Sequence, residues 1–263
     1  MKNIFFYLII SIFSLGFSQD KVVTYEYEVN YNLGRPLYKT GYLLSLDDNV
    51  RYNTTKTIFL KDFKKYDIDS ETGNPQISFL GAGNGSENVV YLGINDSIIS
   101  TKSLGREVLL IKEKIPIQIW ELTGIKKLIN GYQCVELKTQ FRGRKYKAYV
   151  DLSIPFRYGP WKFNSLPGLA IKIIEEENKL IWTLKAVSKR DLDVVEDFIF
   201  KQNDYLSSLR EVSLKEYVEL YDNTKGGSDV LFSKLPREYK KDKSSTSQFK
   251  RGGFELKYEW EEN

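Results

Sequence analysis

Residues 125–151 read IKKLINGYQCVELKTQFRGRKYKAYVD, and two turn signals divide this stretch into three short segments. Asn130-Gly131 is the strongest hairpin signal of the chain, because a type I′ turn needs positive φ at both central positions and Asn and Gly tolerate it. The flanking strands are predicted at 125–129 and 132–139. The sequence Arg142-Gly143-Arg144 then turns the chain into a further strand at 146–151. This stretch therefore predicts antiparallel β-structure.

The same pattern continues on both sides. In residues 22–31 the side chains of Tyr25, Tyr27, Val29 and Tyr31 face one way and polar side chains the other, which is typical of a half-buried strand. Downstream, 169–174 is predicted to pair with 180–187. Further extended segments are predicted at 42–46, 51–63, 77–80, 89–94, 97–100, 108–111 and 115–122. We expect a mainly β, antiparallel fold, built as a curved sheet or open half-barrel.

The C-terminal part changes character. Ser213-Leu-Lys-Glu216 fits a capping box, in which the Ser hydroxyl accepts from an unpaired amide and the Glu side chain reaches back. A helix is predicted from there to about Asn223, and another helix could begin within 204–209, which makes one or two C-terminal helices. Residues 240–263 are polar. We therefore expect one β-rich domain over 19–239 and a polar C-terminal extension over 240–263.

The first eighteen residues predict export. Lys2 is followed by an apolar run that ends at the small residues Gly16 and Ser18, as expected for a signal peptide over 1–18 with cleavage before Gln19. The run is shorter than the roughly 20 apolar residues that a spanning helix needs. No Cys near its end offers a site for acylation. We expect an exported protein without a transmembrane span, periplasmic or, alternatively, secreted.

Composition excludes several function classes. The chain has no His, which excludes Ser-His-Asp and Cys-His catalysis and His-ligated metal sites. Its net charge of +4 is weak and interspersed, so no nucleic-acid partner is predicted. Cys134 is the only cysteine, so no internal disulfide can form. Its thiol is either a small buried apolar group, which we favour, or a reactive thiol or intermolecular bridge.

Residues 158–173, YGPWKFNSLPGLAIKI, predict a rigid loop that leads into a strand. Pro160 fixes φ, and Gly168 is expected to adopt a conformation that other residues avoid. Two interpretations stay open: a ligand or partner surface formed by Trp161 and Phe163, or a structural corner that closes one end of the β-core. The candidate residues for either role are Trp161, Phe163, Leu166, Pro167, Gly168, Leu169, Tyr149 and Arg144.

This loop, together with other motifs, resembles the GLPGLI family of exported proteins from Gram-negative bacteria. The resemblance covers roughly residues 120–184, about a quarter of the chain. It is carried by Trp120, the turn NGYQC at 130–134, Gly143-Arg144, the strand 146–151, Ile154-Pro155, GPWKF at 159–163 and SLPGLA at 165–170. Ser165 replaces the first Gly of the family motif and Ala170 its last Ile, which argues against a need for special backbone geometry at 165. The resemblance implies a cell-envelope protein and no particular activity.

Other motifs carry weaker signals. Residues 67–73 (DIDSETG) are similar to a calcium loop, but the glycine and glutamate spacing of an EF-hand is missing. Ser247 and Lys250 have the spacing of a Ser/Lys dyad but lie in a polar stretch. Arg142 and Arg144 could grip an anion, although exposed turn arginines are ordinary. We predict no catalytic residue, no metal site and no cofactor.

Three functions are compatible with the sequence. The favoured one is a non-catalytic binding or accessory protein of the envelope that takes an apolar ligand, a peptide or an envelope partner. The first alternative is a structural or interaction module of an outer-membrane transporter assembly. The second alternative is a hydrolase that works without histidine.

Overall fold

The computed structural model describes residues 21–34, 36–46, 49–54, 88–92, 96–105, 107–227, 229 and 249–261. The strands are β1 Lys21–Asn32, β2 Pro36–Leu46, β3 Asn49–Asn53, β4 Asn88–Leu92, β5 Ser97–Leu104, β6 Glu107–Lys114, β7 Glu121–Ile129, β8 Tyr132–Phe141, β9 Arg144–Asp151, β10 Leu169–Glu175, β11 Leu180–Asp191 and β12 Arg210–Ser213. The helices are α1 Leu192–Ser207 and α2 Leu214–Asn223, and a 3-10 turn spans Glu259–Glu261.

The strands form one open sheet with the order β12-β6-β5-β4-β3-β2-β1-β11-β10-β9-β8-β7. Neighbouring strands are antiparallel, except that β12 runs parallel to β6. The predicted mainly β, antiparallel fold with one or two C-terminal helices is confirmed.

The hairpins that the sequence marked most strongly are present. Asn130 and Gly131 both have positive φ, 51° and 82°, and they join β7 to β8. Arg142 and Gly143 do the same between β8 and β9, with φ of 46° and 79°. Positive φ at both central positions matches the right-handed twist of the flanking strands.

The core lies on one face of the sheet, which we call the inner face and define by Tyr27, Leu43 and Trp182. The predicted alternation of β1 places its four core side chains, Tyr25 to Tyr31, on this face, where they are buried. Cys134 on β8 is also buried, and its thiol lies 3.5 Å from the carbonyl oxygen of Tyr132. Burial, followed by the nearby Asp151, raises the pKa of this thiol to about 11, which fits the interpretation as a small apolar residue.

The sheet is strongly curved. Eight inter-strand steps separate β6 from β9 in the strand order. In a flat sheet these steps would place the two strands about 38 Å apart. Arg142, in the β8–β9 turn, nevertheless donates to the carboxylate of Glu113 on β6. The inner face must therefore curl until its two halves meet.

The two helices lie on opposite faces. Val195 of α1 packs on Val22 and Leu44, which point away from the inner face. Helix α2 packs on the inner face against Leu109 of β6. The predicted capping box of α2 is confirmed for its first half, because the Ser213 hydroxyl accepts from the amide of Glu216 at 3.1 Å.

Two predictions of local structure were wrong. Residues 204–209 do not begin a helix, since α1 starts at Leu192 and ends at Ser207. Residues 115–120 are irregular and only β7 beyond them is a strand. The chain leaves the sheet there because Gln118 donates to the carbonyl of Lys162 (3.0 Å) and Trp120 to that of Asn164 (2.8 Å).

Several predicted features lie outside the described residues. They are the signal peptide 1–18, the calcium-like loop 67–73, the strands predicted beyond residue 54 and before residue 88, Ser247, and the segment 240–248.

Candidate functional site

The loop 155–168 covers the inner face. Trp161 stacks on Trp182 with ring centroids 6.2 Å apart and planes 8° from parallel, and Phe163 meets Tyr146 edge to face at 4.9 Å. Of the predicted loop residues, the buried ones are Trp161, Phe163, Leu166, Gly168 and Leu169, and Pro167 is exposed. Because Trp161 and Phe163 are enclosed, they fit the structural corner and do not form an exposed surface.

The backbone conformation of this loop differs from the sequence-based expectation at Ser165 and at Gly168. Ser165 has φ of 57°, so special geometry is present where a Ser seemed to argue against it. Trp161 has the same φ, which is rare for a bulky side chain. Gly168 is not in the left-handed region. Glycine is needed there for another reason: a Cβ would lie 2.3 Å from the carbonyl oxygen of Asp151.

The other two predicted residues lie elsewhere. Tyr149 points to the opposite face of the sheet, where its hydroxyl donates to Glu136 at 2.9 Å. Arg144 was expected to be exposed at its turn, and so was Arg142, but both are buried. Arg144 donates to Glu175 at 3.2 Å and to the carbonyl of Gly253. The eight predicted residues therefore do not form a single site.

A buried ion network joins the two halves of the curled sheet. Glu255, from the segment 249–261, pairs with Lys102 of β5, Lys162 of the loop and Arg142 of the β8–β9 turn. Glu113 of β6 pairs with the same Lys162 and Arg142. The Lys162 ammonium lies 3.0 Å from Glu255 and bridges the two carboxylates.

The network fixes the charge of both carboxylates. Burial alone raises the pKa of Glu255, but Lys102, Lys162 and Arg142 outweigh it and hold that pKa well below its ordinary value of 4.5. Burial likewise opposes ionisation of Glu113, and Lys162 and Arg142 again lower its pKa. Proton transfer is most efficient when a group titrates near the working pH. These carboxylates are therefore suited to binding cations and poorly suited to acid–base catalysis.

Sequence reasoning missed Glu255, Lys162, Glu113 and Lys102. Glu255 lies 153 residues from Lys102 and 93 from Lys162, and no local spacing reports such contacts. Lys162 lies inside the loop motif, where nothing signals a buried ion pair, since lysine side chains are mostly exposed in proteins. The described part of the polar segment 240–263 packs on the sheet and contributes two buried side chains, Glu255 and Tyr258.

A second feature lies at the edge of the sheet. Strand β7 is the last strand on its side. Five aliphatic side chains in and just before it are between 51% and 88% exposed; we call them the aliphatic rim: Ile117, Ile119, Leu122, Ile125 and Leu128. Several exposed aliphatic side chains within one short stretch of chain are a candidate interaction surface.

The described residues offer no group of three or more His, Cys, Asp or Glu side chains that could hold a metal ion. Neither helix of the described ranges has the length and apolar character needed to cross a membrane.

Comparison with known proteins finds distant structural neighbours only. No protein-family model matches this chain, and no curated protein sequence matches it. Among solved structures it is similar to PNGF-II in two crystal forms, in space groups C2 and P21, at 13% identity and TM-scores of 0.48 and 0.49. The similarity covers 76% of this chain and 32% and 33% of those chains, so this chain spans about a third of their length.

Proposed function

We propose that this chain is an exported, non-catalytic accessory protein of the bacterial cell envelope that binds an extended segment of a partner protein along the aliphatic rim. The rim is the observation that carries the proposal. The predicted signal peptide and the resemblance to the GLPGLI family support the location, with the periplasm preferred over secretion. A transporter assembly, the alternative raised from the sequence, is one source of such a partner.

The free energy available at the rim is substantial. Full burial of one Leu or Ile side chain contributes roughly 1.5–3 kcal/mol. Ile117, Ile119 and Leu128 are each more than two-thirds exposed, so a partner that covers them gains most of this free energy. A protein without a partner would keep this surface in water at a cost in solubility.

The backbone of β7 favours an extended occupant. Within the described residues no strand pairs with the side of β7 that faces away from β8. Peptides commonly add a strand to such an edge through main-chain hydrogen bonds. A bulge between Leu122 and Lys126, with Gly124 at φ of 81°, interrupts the edge. Main-chain pairing is therefore confined to either side of the bulge, and side-chain contacts supply most of the affinity.

Charge narrows the chemistry of the partner. Lys126 and Lys127 are exposed between Ile125 and Leu128. Lysines at a free edge discourage pairing with another strand of the same charge. We therefore expect an extended segment that carries acidic residues beside its apolar ones.

A hydrolytic function receives less support. The two carboxylates of the ion network, Glu113 and Glu255, are bridged by Lys162 and kept ionised. The chain also lacks histidine, which is the commonest general base.

Photo-crosslinking in the producing cell tests the proposal. A benzophenone amino acid replaces Leu128, which is 69% exposed, or Tyr38 on β2, which is 68% exposed and serves as the matched control. We expect the Leu128 probe to link to an extended segment of one other protein, identified by mass spectrometry of the linked peptide, and the Tyr38 probe to give no such product. The double variant Ile125→Asn with Lys127→Glu should abolish the product from a Leu122 probe while circular dichroism stays unchanged.

Other outcomes contradict the proposal. Links from Leu128 to lipid or to a second copy of this chain would identify a different occupant of the rim. Equal yields from Leu128 and Tyr38 would show that the rim is not a specific surface.

A further inference from the structure

A cavity on the inner face lies apart from the aliphatic rim. Its walls come from β5, α2, the loop 155–168 and the segment 249–261, and its volume is about 340 Å³. Small-molecule sites occupy a few hundred cubic ångströms and combine aromatic walls with a small number of placed polar groups. The cavity has both properties.

Ser100 supplies a polar group without a partner. Its side chain lines the cavity and is 3% exposed, and its hydroxyl oxygen makes no hydrogen bond to any described residue. A buried hydroxyl left unpaired is costly, by roughly 1–3 kcal/mol. A ligand hydroxyl or carbonyl in the cavity would satisfy it.

The remaining walls include the half-buried rings of Tyr221 and Phe254, beside the buried rings of Tyr217 and Tyr258. Aromatic faces are electron-rich and attract the weakly positive C–H groups of a saturated ring. A ligand with a C–H face and a hydroxyl edge would use both the rings and Ser100.

The charged groups at the cavity are already neutralised. Lys102 and Lys162 pair with Glu255, and Arg251 pairs with Asp222 and Glu261. An anionic ligand would compete with these carboxylates for the same cations. A cationic ligand would compete with the cations for Glu255. Neither charge type gains a free partner, so a neutral ligand is favoured.

We infer that this cavity binds a neutral, hydroxyl-rich small molecule of the sugar class, which hydrogen-bonds Ser100 and stacks on the aromatic walls. This site does not depend on the rim, and either can exist without the other.

Isothermal calorimetry with the exported chain tests the inference. The probes are glucose, N-acetylglucosamine, maltose and lactose, with glucuronate and glucosamine as charged analogues. We expect at least one neutral sugar to bind and both charged analogues to bind more weakly. Ser100→Ala should lower the affinity for the neutral sugar about five-fold, which corresponds to the loss of one hydrogen bond, without lowering the melting temperature.

Ser97→Ala is the matched control. Ser97 lies on the same strand, is equally buried and also has an unpaired hydroxyl among the described residues, but it does not line the cavity. It should leave sugar affinity within two-fold of the parent. The inference is overturned if no neutral sugar binds, if a charged analogue binds as tightly, or if the two serine variants behave alike.

Discussion

The carboxylate of Glu255 pairs with three cationic side chains from three separate parts of the chain. Lys102, Arg142 and Lys162 all contact it, and all but Lys102 are almost entirely removed from water. Taking such charges out of water is expensive, and removing one partner leaves the others without compensation.

Glu255→Gln should therefore destabilise the protein by about 3 kcal/mol, since the amide keeps the shape and removes the charge. Urea unfolding followed by tryptophan fluorescence measures this loss. Glu259→Gln is the matched control, because Glu259 also contacts Arg142 but its side chain is 54% exposed, and it should cost less than about 1 kcal/mol. Equal losses in the two variants would refute a special role for Glu255.

The same carboxylates predict how stability depends on pH. Folding lowers the pKa of Glu113 and Glu255 below 4.5, so their stabilising contribution is complete above pH 4.5 and is lost as pH falls through the lowered values. In the parent, the urea concentration at the unfolding midpoint should decrease as the pH is lowered below 4.5. In Glu255→Gln this decrease should be smaller. Parallel pH profiles for the two proteins would be inconsistent with the network.

At this scale the sequence predicted apolar character well and ion pairing poorly. Trp161 and Phe163 were predicted to act together, as a surface or as a structural corner, because their bulk is visible in the residue types themselves. The burial of Arg142 and Arg144 was missed, because it depends on Glu113, Glu175 and Glu255, which are distant in sequence.

At the scale of elements, the strands and turns that the sequence predicted well are those with a regular hydrophobic pattern or a demanding turn. Strands with strict alternation, such as β1, and hairpins with a demanding turn, such as Asn130-Gly131, were predicted close to their observed bounds. Helix α1 was largely missed. Its N-cap residue, Asp191, is of a type that often begins helices, but the helix follows β11 without an intervening turn, so no break in the sequence separates the two elements.

The junction between the loop 155–168 and β10 depends on one close approach. Gly168→Ala would place a methyl group against the Asp151 carbonyl oxygen, whose distance to an added Cβ is 2.3 Å. The atoms that the added methyl group would meet belong to the backbone, so the strands must shift. We expect the free energy of unfolding, measured with urea, to decrease by about 3 kcal/mol. Gly252→Ala is the control, because its added Cβ meets nothing within 4 Å. A Gly168→Ala variant as stable as Gly252→Ala would contradict the observed contact.

At the scale of the whole molecule, the segment 249–261 holds the curled sheet together. Its amide at Leu256 donates to the carbonyl of Arg142 at 2.9 Å, Phe254 packs on Trp161 and Trp182, and Glu255 reaches Lys102 on β5. One short segment therefore contacts both halves of the sheet.

Deletion of residues 249–263 should lower stability by more than Glu255→Gln does, since it removes the apolar contacts as well as the charge. Near-ultraviolet circular dichroism should weaken as Trp161 and Trp182 lose their neighbour, while far-ultraviolet strand signal is largely kept. Deletion of 262–263 alone is the control. Unchanged stability after the longer deletion would show that the sheet curls without this segment.

The single cysteine can report how often the sheet opens around it. Cys134 is buried on β8 with a pKa of about 11, so at neutral pH it is both shielded and protonated. Thiolate-selective reagents can modify it only after β8 separates from its neighbours. The rate at which Cys134 is modified in the unaltered protein therefore reports how often the sheet opens near its β7 edge, where the proposed partner binds. A bound partner should lower this modification rate, and no engineered label is needed to measure it.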